Sequence, residues 1–146
     1  MTELSIRPFT SAPAIRQLGE GLLARTLPKA EWTHEAHLAA CTWLLLERPD
    51  IDPERELPAI IRAYNEAAGG VNDDRQGYHE TMTQLYIRGV RQFLSGHASG
   101  DLLTAVNALL ASPMAERSWP LVHYSHEALF SVAARREWTE PDIAPI

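Results

Sequence analysis

Residues 38–46, Leu-Ala-Ala-Cys-Thr-Trp-Leu-Leu-Leu, are apolar on nearly every side of a helix, interrupted by Thr42 and ended by Glu47. The run is far shorter than the ~20 residues a membrane-spanning helix needs. Other helices must therefore keep water off it on all sides, which makes it the centre of a bundle.

The remaining apolar residues recur at the three- and four-residue steps that such covering helices require. Ile15, Leu18, Leu22 and Leu23 define a first helix over about 12–25, closed by Pro28. The central helix starts at His34 behind the N-cap Thr33 and ends at "RPDIDP". A third spans about 53–68 with Leu57, Ile60, Ile61 and Tyr64 on one stripe, and Gly69-Gly70 stops it. The polar "VNDDRQG" is a loop. The fourth, about 78–94, stacks Met82, Leu85, Tyr86, Val90 and Phe93; a fifth runs over 101–111 and a last over 123–136. No two-residue alternation is present, so the expectation is an all-α domain, one bundle of five to six helices over 1–146.

At 146 residues such a domain buries roughly two thirds of its unfolded surface and needs no metal or disulfide to fold. The lone cysteine, Cys41, sits in the apolar run and reads as a buried small side chain in a reducing compartment. Residues 1–10 mix acid, base and proline, so no signal peptide is legible and the cytoplasm is expected. A net charge of -6 argues against nucleic-acid or anionic-membrane partners.

Histidine placement is the feature that carries chemistry. His34 and His37 in "WTHEAHL" lie three apart on a helix, within about 60° and 5–6 Å of each other, at the edge of the buried run. His79 in "YHETMT" falls on the inward stripe with Met82, Thr83 and Tyr86, and Glu80 and Thr83 complete a polar corner there. His34, His79 and the pair His123 and His126 stand near helix starts, where the partial positive charge favours neutral imidazole and also attracts anions. His123 and His126 in "HYSHEAL" open the last helix, and His97 lies in a Gly/Ser loop that reads as surface.

Other residues read more plainly. Trp32 before the cap is a hydrophobic staple against the His37 level. Asn65 reaches the same cavity or caps the Gly-Gly end, Ser125 is an N-cap or a site hydroxyl without an acidic triad partner, and Arg135 and Arg136 pair with Asp142 or dock the tail. Tyr124 serves equally as a donor to substrate or to a backbone carbonyl.

The order of "WTHEAHL", "YNEAAGG", "GYHETMT", "HYSHEALFSVAAR" and "EPDIAPI" resembles an uncharacterised family of small bacterial helical proteins, from Trp32 onward. The most specific match pairs Trp32, His34, His37 and Leu38 with Tyr78, His79, Glu80 and Thr81. The resemblance implies the place of a site and no reaction. It includes Tyr124 and Ser125, leaving His123 and His126 behind the other histidines as ligand candidates.

Three readings follow. In the first, His34, His37 and His79 hold a divalent Zn, Ni or Fe that activates water, Glu80 is the general base, Tyr78 or Thr83 orients a small substrate, and the protein is a hydrolase. In the second, the same hollow is a metal-free binding or sensing module for a small anion. In the third, the helix faces form a homodimer and the histidines are incidental.

Overall fold

The computed structural model describes residues 7–97 and 100–146. Residues 1–6, which belong to the stretch read for a signal peptide, and residues 98 and 99 of the Gly/Ser loop lie outside it. Among the described residues there are seven α-helices, short 3-10 turns and no strand, as the helical periodicity requires.

Helix α1 (Ala12–Ala24) is capped by Ser11, whose hydroxyl accepts from the Ala14 amide, and ends at Arg25 in the left-handed conformation. Helix α2 (His34–Glu47) begins at Thr33, whose hydroxyl accepts from the Ala36 amide, and every residue from Leu38 to Leu44 is buried. The cover comes from α1, α3 (Pro53–Ala67), α4 (Glu80–Ser95) and α5 (Leu102–Leu110), all of which pack against α2. No helix of the described residues is long and apolar enough to cross a membrane.

Two details are set by pairs far apart in sequence. Pro58 lies inside α3 and has no N–H to give the Glu54 carbonyl; Gln84 Nε2 of α4 donates to that carbonyl instead, at 3.0 Å. Gly19 lets α1 lie against Trp43: a Cβ there would stand 2.2–2.7 Å from three ring atoms of an indole that is itself buried. Gly19→Ala is therefore expected to destabilise by about 1–3 kcal/mol despite the helix preference of alanine, read as a lower urea midpoint at unchanged slope.

The single last helix expected over 123–136 is two. Helices α6 (His126–Leu129) and α7 (Val132–Arg136) are separated at Phe130-Ser131, because Ser125 and Ser131 each cap a new start, accepting from the amides of Ala128 and Ala134. The expected fourth helix likewise begins two residues later, at Glu80. Thr81, fully buried, ties the tail down: its hydroxyl donates to the Glu137 carbonyl and accepts from the Thr139 amide.

Candidate functional site

A cavity of about 630 Å³ opens between the starts of α2 and α4, the face of α3 and the strap over residues 69–77. Its wall includes His34, His37, Tyr78, His79 and Thr83, five of the six residues that the sequence pattern assigns to a site, together with Trp32, Tyr64, Asn65, Tyr86 and Arg117. The shared hollow is thus present; how each side chain meets it differs from expectation.

His79 is the N-cap of α4. Its Nδ1 accepts from the Met82 amide at 3.1 Å, and its Nε2 donates to the Leu129 carbonyl at 2.8 Å. That pairing requires the neutral Nε2–H tautomer and engages both nitrogens, so no lone pair is left for a metal ion. Burial lowers its pKa, consistent with a ring held neutral. Histidine is not among the common capping residues, so its place on the apolar stripe by itself points to an inward ligand and gives no sign of a cap.

Glu80 does not line the cavity. Its carboxylate accepts from the Tyr78 hydroxyl at 2.5 Å and from Gln84 Nε2 at 3.3 Å. Burial first, and then the bond to Glu80, push the Tyr78 phenol upward, while the Arg62 guanidinium covers its ring at 4.7 Å. The Thr83 hydroxyl donates to the His79 carbonyl at 2.8 Å. The general base expected at Glu80 is therefore the hydrogen-bond partner of Tyr78, and Tyr78 and Thr83 present mainly their apolar parts to the hollow.

His34 and His37 keep one nitrogen each in reserve. The His34 Nε2–H donates to the Met114 carbonyl at 3.3 Å, and its ring meets the Tyr86 ring edge-on at 5.7 Å. Burial lowers its pKa and the charge of Arg117 adds to the effect. The His37 Nδ1–H donates to the Thr33 carbonyl at 2.6 Å, and Trp32 stacks on its ring at 3.8 Å, the staple geometry expected from the sequence. His37 is exposed by surface area, since the cavity opens beside it, yet dense packing elsewhere pushes its pKa down to about 4; the charges of His34 and Arg117 push the same way. Water reaching the cavity softens this desolvation without reversing its direction. In both neutral rings the second nitrogen is a lone pair without a hydrogen-bond partner among the described residues.

Two further residues complete the corner: Tyr86, which the helical stripe already placed inward, and Arg117, which carries no local sequence signal. Arg117 reaches it from the segment after the Pro113–Ala115 turn; it is exposed, forms no ion pair among the described residues, and its charge acts on His34, His37 and Tyr86 alike. The Tyr86 hydroxyl likewise has no partner among the described residues, and burial raises its pKa. Tyr64 is different: its hydroxyl donates to the Leu27 carbonyl at 2.8 Å.

The strap is braced from both sides. Asn72 accepts from Asn65 Nδ2 and the Tyr78 amide and donates to the Arg62 carbonyl and Glu66, so the Asn65 side chain holds the strap where a helix cap was expected. Gly77 turns with φ +83° so close to Val71 that a Cβ would stand 2.3 Å from its carbonyl oxygen. Arg136 grips Asp74 through two bonds and Arg135 donates to the carbonyls of Gly77 and Tyr78; Asp142, expected as their partner, accepts from the Ser125 amide instead.

His123, His126 and His97 stay outside the cavity. His123 bonds the Ala144 carbonyl and His97 the Phe93 carbonyl, and the Tyr124 hydroxyl donates to the Thr139 carbonyl. Cys41 reaches the wall, but burial pushes its thiol up to about 12, far from a nucleophilic thiolate at neutral pH. Among the described residues no three His, Cys, Asp or Glu side chains are grouped so as to hold a metal ion. The centre expected from His34, His37 and His79 is accordingly not assembled, and the polar groups that do converge are His34, His37, Tyr86 and Arg117.

Comparison with known protein families, with characterised proteins and with solved structures finds no match to this chain.

Proposed function

We propose that this chain is a metal-free binding module whose cavity takes a small anionic ligand. One observation carries the reading. The chain has 19 acidic residues and a net charge of -6, yet among the described residues no Asp or Glu lines the cavity, whereas Arg117 and Lys29 do. A cavity that excludes carboxylates in an acidic protein keeps its potential favourable for a negative ligand, and an unpaired guanidinium offers it a forked set of donors. The starts of α2 and α4 add their partial positive charge. The volume lies within the roughly 300–1,000 Å³ of sites that enclose small organic molecules.

The test is thermal denaturation and calorimetry of the full chain with acetate, benzoate and inorganic phosphate, set against benzylamine as a cation. A bound anion at a hundred times its dissociation constant adds about 2.7 kcal/mol of stability. Arg117→Gln removes an exposed, unpaired charge and is expected to leave folding intact while weakening the anion about tenfold to a hundredfold, the ~1.5–3 kcal/mol of a hydrogen bond to a charged group. Equal affinity for parent and variant, or binding of benzylamine in place of the anions, would defeat the proposal. So would stoichiometric zinc that is lost in His34→Ala/His37→Ala, an outcome that would restore the metal reading.

A further inference from the structure

We infer that the ligand is an aromatic carboxylic acid bearing a hydroxyl, its carboxylate on Arg117 and its hydroxyl donating to the free ring nitrogen of His37. The inference rests on the anion-binding reading and narrows it.

The first argument is the complement of free polar groups. A simple inorganic anion would satisfy Arg117 and the Tyr86 hydroxyl, both donors. It would also face the lone pairs on the second nitrogens of His34 and His37, which repel it. These rings are held as acceptors by geometry: each gives its one N–H to a backbone carbonyl, of Met114 and of Thr33. The Thr33 bond is 2.6 Å and Trp32 holds the ring plane, so this ring cannot turn its Nδ1–H toward the cavity without breaking the bond to Thr33. A ligand that suits the corner therefore brings an anionic group and a donor together. A hydroxyl provides the donor, whereas an ammonium would place a positive charge near Arg117.

The second argument is the wall. The Tyr64 and Tyr78 hydroxyls are engaged with the Leu27 carbonyl and Glu80, so both side chains offer ring carbon to the hollow. Trp32 meets Tyr64 edge-on at 5.7 Å and Tyr86 lies across from His34, while Leu38, Ile61 and Met82 fill the spaces between. A wall of aromatic rings with few free polar atoms favours a flat apolar body through offset and edge-to-face contacts.

Calorimetry of the full chain would compare 3- and 4-hydroxyphenylacetate with phenylacetate, acetate, inorganic phosphate and 4-methylphenol. The better hydroxyphenylacetate is expected to bind about tenfold more tightly than phenylacetate, and phenylacetate about tenfold more tightly than acetate. His37→Phe keeps the stack on Trp32 and removes the acceptor; it orphans no backbone group, because the Thr33 carbonyl still receives the amide of residue 37. In that variant the hydroxyl preference is expected to vanish with phenylacetate affinity kept. If phenylacetate already equals both hydroxy acids in the parent protein, or if acetate or phosphate equals them, the inference is overturned and the anion-binding reading stands. If 4-methylphenol binds and no anion does, both fail. The ligand series decides the question in the parent chain even if His37→Phe does not fold.

Discussion

His79→Ala is expected to lower the unfolding free energy by about 2–4 kcal/mol. Two losses add. The Met82 amide at the start of α4 loses its cap, a contribution of about 1 kcal/mol. The Leu129 carbonyl, 50 residues away and buried, loses the His79 donor, at a further ~1–3 kcal/mol. His79→Asn separates the two, since asparagine is a strong cap but is too short to keep the Leu129 contact; it should recover roughly the capping part. The measurement is the urea midpoint of the three proteins, with and without added zinc. A capping role makes the ranking parent, Asn, Ala, insensitive to zinc. An alanine variant as stable as the parent but unable to bind zinc would contradict the role assigned here.

The second large effect is the response to acid. His34, His37 and His79 all have pKa values below the ordinary ~6.5, chiefly through burial, so the unfolded chain takes up protons that the folded chain refuses. The sign follows: above about pH 7 these groups are neutral in both states and contribute no slope, and stability falls as pH drops below ~6.5, toward about 4 for His37. Each proton taken up by the unfolded state alone adds a slope of at most about 1.4 kcal/mol per pH unit, lessened by water at His37 and by the partial exposure of His34. The carboxylates of the exposed ion pairs, such as Glu47 with Arg16 and Asp74 with Arg136, are also lowered, but they protonate in a more acidic range. The loss between pH 6.5 and 5 therefore belongs to the imidazoles. Denaturant titrations at half-unit steps should show it, and His37→Phe should flatten the slope. A stability that is level from pH 7 to 5 would mean that these rings are freely solvated.

Both predictions turn on hydrogen bonds whose partners come from other elements, and this is where reading the chain by itself stops. The apolar run of α2 has a local cause, since no other arrangement covers a helix that is apolar all round. Thr33 as cap of the Ala36 amide and Trp32 stacked on His37 are also local, three and five residues apart, and they were legible. Helical periodicity also put His34 and His37 near one another on α2 and Thr83 on the inward side of α4, but the meeting of these residues with Tyr78 and His79 around one hollow depended on how the helices pack. The partner of each polar atom was not legible. Whether His79 aims a lone pair at a ligand or caps its own helix depends on where the Leu129 carbonyl lies, and whether Glu80 faces the cavity depends on the Tyr78 hydroxyl behind it. Arg117, one arginine in an irregular segment, has no periodicity to mark it and joins the site only because the turn at Pro113–Ala115 packs against α2.

Sequence by itself determined that this chain is helical, which helix is innermost, and which polar side chains stand at the helix starts, because those properties follow from interactions within about one turn. Tertiary structure alone decided that the three imidazoles have different tasks and that the guanidinium of Arg117 joins the cavity, because a hydrogen bond or ion pair is chosen by distance in space. Sequence spacing carries no information on that distance once the chain has turned back on itself.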